Sequence, residues 1–211
     1  MPFSKIDDAI RALKDGRMII VIDDENRENE GDLMVAADLA GPEDIAFMMQ
    51  KGQGLICVAL TGERLDELDI PLMVQTNSDV YSTAFTVSVD CKFGTSTGIS
   101  AHDRATTVRA LVDPKSRPDD FSRPGHMFPL RAHPRGVLGR AGHTEAAVEL
   151  TRLANLTPGG VICEIAKGDG TMARVDDLVE FAEEHSLPLI TIESLVDYVR
   201  DRMENSHDVA A

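Results

Sequence analysis

Six carboxylates lie within the ten residues DDENRENEGD at positions 23–32, between two short apolar runs. A turn needs only a few polar residues, and carboxylates this close raise one another's pKa unless a cation neutralises them. Divalent cations such as Mg²⁺ prefer oxygen ligands of this kind. The segment therefore indicates a metal site, and the alternative is a solvated acidic turn in an acidic protein.

A second candidate segment, GRAGHT at 139–144, stands directly before a predicted helix. Small residues let the backbone approach a ligand, and a helix N-terminus offers free N–H groups that suit a phosphate. Arg140 has the geometry for bidentate contact, His143 suits a metal, and Thr144 suits either a helix cap or an oxyanion. A glycine-rich turn with a threonine cap and no ligand remains the alternative.

Two further residues suit proton transfer. His126 lies in RPGHMFPL at 123–130, where the prolines and the glycine fix a loop that displays the imidazole. It is either a proton-transfer group or an ordinary surface histidine. Glu164 interrupts the apolar run at 161–165, so it faces either solvent or a pocket that raises its pKa.

The hydroxyl-rich segment GTSTGISAHDRATT, at 94–107, leads into another predicted helix. Its hydroxyls and small residues suit hydrogen bonds to a polyol or a phosphate. A flexible loop with Ser100 as the helix cap explains the same composition.

Composition narrows the class of protein. The 211 residues hold 21 lysines and arginines against 36 aspartates and glutamates, a net charge of −15. This field repels phosphate polymers, and with 4% aromatic residues and no tryptophan a nucleic-acid binder is disfavoured. We find neither the pattern of a signal peptide nor a run near the roughly 20 apolar residues of a membrane span.

The three cysteines, Cys57, Cys91 and Cys163, lie in apolar or β-branched runs and form no CxxC motif. Buried free thiols are the expected state, which indicates a reducing cytoplasm.

The hydrophobic pattern mixes helices and strands without strict alternation. Predicted helices run from a cap at Ser4 to Gly16, from Pro42 onward, and over 102–112, 144–153, 175–184 and 193–203. Predicted strands cover 18–23, 32–37, 54–60, 84–90, 127–132, 160–166 and 188–192. We expect an α+β fold, a single-domain sandwich of a mixed sheet and helices over residues 1–203, rather than a doubly wound sheet. The polar residues 204–211 are expected to form a frayed tail.

Two strands carry more specific predictions. Alternation over 84–90 places Phe85, Val87 and Val89 on one face. Pro129 cannot donate a ladder hydrogen bond, so the strand at 127–132 is predicted at an edge or an end of the sheet.

Five segments, taken together and in this order, resemble 3,4-dihydroxy-2-butanone 4-phosphate synthases, enzymes of riboflavin biosynthesis. They are DDENRENEGD, STGISAHDRATT, RPGHMFPL, GRAGHTEAAVEL, and CEI followed by DGTMAR. The resemblance spans roughly residues 3–200. Ala166-Lys167-Gly168, before DGTMAR, departs from the usual pattern and affects only local loop detail.

The resemblance implies conversion of D-ribulose 5-phosphate to L-3,4-dihydroxybutan-2-one 4-phosphate and formate, a carbon–carbon lyase reaction. It implies Mg²⁺ or Mn²⁺, with two divalent ions per active site, and a homodimer with active sites near the interface. It also implies the α+β sandwich. In many bacteria a GTP cyclohydrolase II domain is fused to this one, and these 211 residues do not include that partner.

The resemblance also implies a role for each matching residue. Glu28 and His143 would bind the metal. Arg27 and Asp32 would contact the sugar phosphate, and the phosphate end would be held by Arg140, Ala141, Gly142 and Thr144. His126 and Glu164 would be essential for catalysis. Glu28, His143 and Glu164 would also contact the substrate, with Glu30 and the loop around Ser100 nearby.

Three other classes stay open from the residues alone. Another metal-dependent sugar-phosphate isomerase or aldolase would use the same parts without releasing formate. A regulatory module would bind metal and phosphate without turnover, and would leave Glu164 and His126 without a role. A structural protein explains none of the clustered polar segments.

Overall fold

A computed structural model describes the backbone of residues 3–208 and the side chains of residues 3–205. Its strands are β1 (Ile19–Ile22), β2 (Gly31–Ala36), β3 (Cys57–Leu60), β4 (Val89–Cys91), β5 (Phe121–Arg131), β6 (Gly159–Glu164) and β7 (Leu189–Thr191). Its helices are α1 (Ile6–Lys14), α2 (Pro42–Phe47), α3 (Gly62–Glu67), α4 (Ala101–Val112), α5 (His143–Leu153), α6 (Val175–His185) and α7 (Ile192–Asp208). A π-helical turn, Met48–Gly52, continues α2.

The described strands form one mixed sheet in the order β4-β5-β3-β6-β2-β1-β7. The pairs β1–β7 and β3–β5 are parallel, and the other neighbours are antiparallel. Helices α2, α4 and α6 bury residues such as Ile45 and Leu178 against one face. Helices α1, α5 and α7 bury residues such as Leu13 and Leu150 against the other. The predicted α+β sandwich of a mixed sheet and helices is confirmed.

The strand predicted over 84–90 is wrong for most of its length. Only Val89 and the next two residues form β4, while Phe85 makes a single bridge to Leu130. The predicted common face is also wrong, because Phe85 packs into one core and Val87 and Val89 into the other. The backbone is irregular before β4 and the register shifts at Val89/Asp90, so alternation along the sequence does not set the face.

The edge position predicted for the strand at 127–132 is also wrong. β5 is eleven residues long and lies between β4 and β3. Pro129 pairs with Val58 on one side, and its carbonyl accepts hydrogen bonds from the N–H and the hydroxyl of Thr86 on the other. The ladder with β4 ends at Met127, so the proline lies where no regular neighbour requires its N–H.

The structure differs from the prediction near both ends of the chain. The N-cap of α1 is Lys5 rather than Ser4, because Ser4 bonds instead to Leu189 of β7. Gly16 ends the first helical segment with a positive φ of 75°, as predicted. Helix α7 continues to Asp208, because residues 204–208 contain no glycine or proline to stop it. The frayed tail is therefore wrong for those residues, and residues 209–211 lie outside the described part.

Two predictions on the cysteines and on membrane spans can be compared with the structure. Cys57, Cys91 and Cys163 are buried free thiols, as expected. Among residues 3–208, no helix combines the length and the apolar character that crossing a bilayer requires.

Candidate active site

The acidic segment folds around Asp23, which directly follows β1. Its buried carboxylate accepts hydrogen bonds from the backbone N–H groups of Glu28, at 3.0 Å, and Glu30, at 2.8 Å. The same carboxylate lies 2.8 Å from the guanidinium of Arg27. These bonds turn the chain back into β2 and direct Glu28 towards helix α5.

His143 is the first residue of α5 and its imidazole is buried beneath the acidic loop. Its Nδ1 lies 3.6 Å from Glu28 Oε2, and its Nε2 lies 3.1 Å from the carbonyl oxygen of Val21. Nε2 is also 3.8 Å from Asp32 Oδ1. The acid-rich turn and the histidine before the helix, 115 residues apart in sequence, thus meet within one chain.

These buried charges shift one another's pKa values. Burial alone would lower the pKa of His143, but Asp32 and Glu28 outweigh it and raise the pKa to about 9. Burial raises the pKa of Asp32 to about 7, where the charge of His143 opposes the shift and that of Glu164 adds to it. Burial also acts to raise the pKa of Glu28, yet His143 and Arg27 outweigh it and lower the pKa. The carboxylates therefore favour positive charge at this position, which a proton on the imidazole or a bound cation with a neutral imidazole would supply.

The same cluster fits a hard divalent cation. One ligand atom from each of Asp23, Glu28 and His143 lies within 4.8 Å of the others. Asp32 Oδ1 is buried beside them and has no hydrogen-bond partner within the described residues. Oxygen-rich groups with one imidazole suit Mg²⁺ and Mn²⁺. Sequence reasoning named Glu28 and His143 and missed Asp23, whose signal is its place directly after a buried strand.

Arg140 is held in one orientation by three residues, one on α5 and two in the segment between α3 and β4. Its Nη1 lies 2.6 Å from Glu145 Oε2, its Nε donates to the carbonyl oxygen of Tyr81 at 3.1 Å, and its Nη2 donates to Thr83 Oγ1 at 2.9 Å. Glu145 is fully buried and also accepts from the N–H of His133. Sequence reasoning missed Glu145, Tyr81 and Thr83, which contact Arg140 only in the folded chain.

The turn before α5 positions the remaining residues of this segment. Gly142 is the N-cap, so the alternative that Thr144 caps the helix is wrong. A Cβ at position 142 would lie 2.3 Å from the guanidinium of Arg140. A residue larger than glycine would therefore displace that guanidinium. Arg140, His143 and Thr144 line the cavity described below, and Ala141 and Gly142 form the turn between them.

Glu164 ends β6, and its side chain lines a pocket instead of lying on an open solvent face. Its Oε2 accepts a hydrogen bond from the N–H of Leu55 at 2.8 Å. Across the β2–β6 ladder it pairs with Asp32, so the two carboxylates lie on neighbouring strands. Gly54 allows this approach, since a Cβ there would lie 2.5 Å from Glu164.

A cavity of about 250 Å³ joins these groups. Its polar walls are Arg27, Glu28, Glu30, Asp32, Thr83, Arg140, His143, Thr144 and Glu164, and its other walls are Leu55, Cys57, Phe85, Leu130 and Ile162. Most of the predicted site residues therefore share one cavity.

His126 lies outside the described lining of this cavity. Its backbone N–H and its Nδ1 both contact the carboxylate of Asp90, at 2.9 and 2.6 Å, and the side chain is 45% exposed. Cys57 pairs with Phe128 of β5 and with Ile162 of β6. Glu164 lies two residues after Ile162, and His126 lies two residues before Phe128, where the β3–β5 ladder begins, so both lie towards the end of the sheet at which β3 starts.

The hydroxyl-rich segment packs beside His126. Ser100 caps α4 by accepting from the N–H of Asp103, so the cap alternative is confirmed. The Asp103 carboxylate accepts from the Ser96 hydroxyl and the Gly98 N–H, and these bonds hold its pKa down at about 2. A Cβ at Gly98 would lie 2.5 Å from His126 Nδ1. The segment therefore fixes the surroundings of His126 rather than the wall of the cavity.

The fold and the cavity define a mixed α/β enzyme whose candidate active site joins a buried carboxylate–histidine cluster to an oriented arginine. The family model described as 3,4-dihydroxy-2-butanone 4-phosphate synthase matches residues 7–198. The chain belongs to this family, which acts in riboflavin biosynthesis.

Individual relatives agree. A 3,4-dihydroxy-2-butanone 4-phosphate synthase of Agrobacterium fabrum is 62% identical over 200 residues, covering 95% of this chain and 94% of that protein. The riboflavin biosynthesis protein RibBA of a Synechocystis species is 57% identical over 93% of this chain, which spans only 36% of that longer protein. A crystal structure of a 3,4-dihydroxy-2-butanone 4-phosphate synthase in complex with two magnesium ions has a TM-score of 0.90 at 47% identity, covering 94% of this chain and 98% of that one.

Proposed function

We propose that this protein converts D-ribulose 5-phosphate to L-3,4-dihydroxybutan-2-one 4-phosphate and formate, a carbon–carbon lyase reaction. The observation that carries the proposal is a single cavity lined by both the carboxylate–histidine cluster and Arg140. A sugar phosphate requires an anchor for the phosphate and, at its other end, groups that bind hydroxyls and move protons. Membership of the family supports this reaction.

Glu28 and His143 are the proposed ligands of Mg²⁺ or Mn²⁺, with two ions per active site. Their placement with Asp23 supports this assignment, as does the related structure in complex with two magnesium ions. A bound divalent ion would supply Lewis-acid polarisation of a carbonyl oxygen and would neutralise the surrounding carboxylates.

Arg140 and the start of α5 are proposed to hold the phosphate end. The N-terminal N–H groups of α5 and the guanidinium supply local positive charge in a chain whose net charge is −15. Thr144 lines the same wall, and the turn at Ala141 and Gly142 leaves room for close approach. Arg27 and Asp32 are proposed to contact the sugar phosphate from the opposite loop and strand.

Glu164 and His126 are the proposed catalytic residues for proton transfer. Glu164 is positioned by the N–H of Leu55, so its carboxylate is fixed at the cavity wall. The contact with Asp90 fixes the His126 ring through Nδ1 and directs Nε2 away from that carboxylate. His126 lies outside the lining of the cavity, at the end of the sheet that also holds Glu164. We leave the order of proton transfers between them unassigned.

A homodimer is proposed to complete the open side. Leu55, beside Glu164, and Ile99, next to Gly98, are exposed apolar residues near Glu164 and His126. Such apolar surface is typical of an interface. The buried free thiols support the proposal of a cytoplasmic protein.

A formate-release assay with D-ribulose 5-phosphate and Mg²⁺ tests the function. We expect Glu28→Ala and His143→Ala to abolish formate release with the fold intact, because each removes a proposed metal ligand. Glu25→Ala and His102→Ala are matched controls, since both residues are exposed and lie outside the cavity lining.

Three outcomes would count against the proposal. Formate release by either alanine variant at the rate of its control would refute the metal assignment. A product that retains all five carbons would identify an isomerase. Binding of substrate and metal without any turnover would identify a regulatory module.

A further inference from the structure

Residues 71–82, here called the arm, form an irregular segment between α3 and the stretch that leads to β4. Every residue of the arm is exposed, and a second cavity of about 270 Å³ lies against it, lined in part by Leu72, Asn77 and Phe85. A hydrogen bond within the arm shapes its tip, where Asn77 Oδ1 accepts from the N–H of Asp79. The arm therefore gains little from core packing, and its docking depends on a few specific contacts.

Those contacts converge on the two arginines of the candidate active site. The Tyr81 hydroxyl donates a hydrogen bond to the carbonyl oxygen of Arg27, and the guanidinium carbon of Arg27 lies 5.3 Å from the centre of the Tyr81 ring. On its other side, Tyr81 accepts from Arg140 Nε through its carbonyl oxygen, and Thr83 accepts from Arg140 Nη2. One tyrosine thus links the acidic loop to the turn before α5.

We propose that Tyr81 is a positioning residue that orients Arg27 and Arg140 for the phosphate of the substrate. This inference rests on the proposed function, which supplies the phosphorylated substrate. A guanidinium binds an oxyanion through a planar fork, so affinity depends on holding that plane in place beforehand. Without the docked arm, Arg140 would keep the Glu145 contact but lose the Tyr81 carbonyl oxygen that holds its Nε, and the Thr83 hydroxyl that holds its Nη2 directly follows the arm.

The chain offers a matched control in its only other tyrosine. Tyr198 makes the same kinds of contact on α7, donating to Asp7 at 2.7 Å with the guanidinium carbon of Arg202 5.6 Å from its ring centre. The Tyr198 hydroxyl also accepts from Arg202 at 3.1 Å, so Tyr198→Phe removes at least as many contacts as Tyr81→Phe does, and it removes them outside the cavity lining.

The kinetic prediction separates KM from kcat. We expect Tyr81→Phe to raise KM for D-ribulose 5-phosphate about fivefold, the scale of one lost hydrogen bond, with kcat changed less than about twofold. Tyr81→Ala also removes the ring, so its effect on KM should be larger. Tyr198→Phe should leave both constants unchanged. Wild-type KM in Tyr81→Phe and Tyr81→Ala would overturn the inference.

Fluorescence supplies a readout that needs no turnover. The chain contains no tryptophan, so Tyr198→Phe leaves Tyr81 as the only tyrosine and Tyr81→Phe leaves only Tyr198. We expect inorganic phosphate to change the Tyr81 emission saturably, at ionic strength held constant with chloride. The Tyr198 emission should show only the linear change of collisional quenching. Saturable phosphate binding, measured by calorimetry, with a silent Tyr81 would overturn the inference.

The two readouts also distinguish this inference from the proposed function. If the wild-type protein released no formate from D-ribulose 5-phosphate, the proposed function would fail while the phosphate titration still decided the role of Tyr81. If it released formate but Tyr81→Ala matched it in KM and phosphate affinity, the role of Tyr81 alone would fail.

Discussion

Gly54 is the residue on which the position of Glu164 depends most directly. It precedes Leu55, whose N–H holds the Glu164 carboxylate, and it follows the π-helical turn Met48–Gly52. A Cβ at Gly54 would lie 2.5 Å from both the carbonyl oxygen and Oε2 of Glu164. Distances this short require β6 or the carboxylate to move, so the absence of a side chain at Gly54 sets the geometry of the cavity wall.

We therefore expect Gly54→Ala to lower the free energy of unfolding by about 2 kcal/mol, the usual scale of overpacking. The displaced carboxylate should also reduce the rate of formate release at least about tenfold, a loss typical of a misplaced proton-transfer group. Urea unfolding and the formate assay measure the two effects. Gly168→Ala is the matched control, because nothing lies within 4 Å of a Cβ there and its φ is not positive. Equal behaviour of the two variants would contradict this account.

At the scale of elements, local signals predicted most helices and the central strands. The 3.6-residue spacing, the Ser100 cap and the turn at Gly16 reproduced α1 and α4 within one or two residues. The predictions fail where tertiary contacts determine the backbone path. Before and within β4, a single bridge and a register shift are found in place of the predicted alternating strand. Pro129 can lie on an inner strand because the segment beside it, before β4, is irregular and forms no regular ladder there. The sequence around Pro129 does not show this, because it is a property of the neighbouring segment.

The residues of the candidate site also fall into those that a motif predicts and those that only the fold reveals. Glu28 and His143 carry strong motif signals, and the structure brings their side chains together. Tyr81 acts through contacts with residues 54 and 59 positions away in sequence, so one sequence without its fold gives no sign of it. Asp23 and Glu145 lie within five residues of the arginines that they hold, but only the folded loop and helix show that these carboxylates, and not their acidic neighbours, make the contact. The environment of Glu164 stayed open because alternation gives the face of a strand but not what covers that face.

The loop that leads into α4 predicts a pH dependence of stability. Hydrogen bonds from Ser96 and Gly98 lower the pKa of Asp103 to about 2, against 3.8 for the free side chain. A lowered pKa means that the carboxylate stabilises the fold fully above about pH 4 and loses this contribution as the pH falls through about 2.

We expect Asp103→Asn to be less stable than the wild type at pH 5–7, with the gap in urea midpoint narrowing below pH 4. Asp176→Asn removes an exposed carboxylate from the first turn of α6, without these hydrogen bonds, and serves as the control. A gap that stayed constant from pH 7 to pH 3 would rule out the titration of Asp103 as its source.

At the scale of the whole molecule, the net negative charge and the exposed apolar side chains have opposite effects on association between two chains. A net charge of −15 repels both a phosphorylated substrate and a second copy of the chain. The candidate site counters this locally with Arg27, Arg140 and the N-terminus of α5. The proposed association of two copies would then have to depend on apolar contact, and Phe93 and Ile99, exposed to 67% and 52%, offer apolar surface after β4.

If the proposed dimer forms through this surface, we expect Phe93→Glu and Ile99→Glu to shift it to monomer, because each adds a like charge to a contact between two acidic chains. Sedimentation velocity measures the shift, and circular dichroism checks that each monomer remains folded. Leu39→Glu is the control, since Leu39 is 43% exposed and lies after β2, away from the β4 edge.

If His126 acts at a site completed by the second copy, formate release should fall in parallel with the dimer fraction across protein concentrations. Dimers in both glutamate variants would place the interface elsewhere, and full activity in a folded monomer would show that one chain contains the complete site.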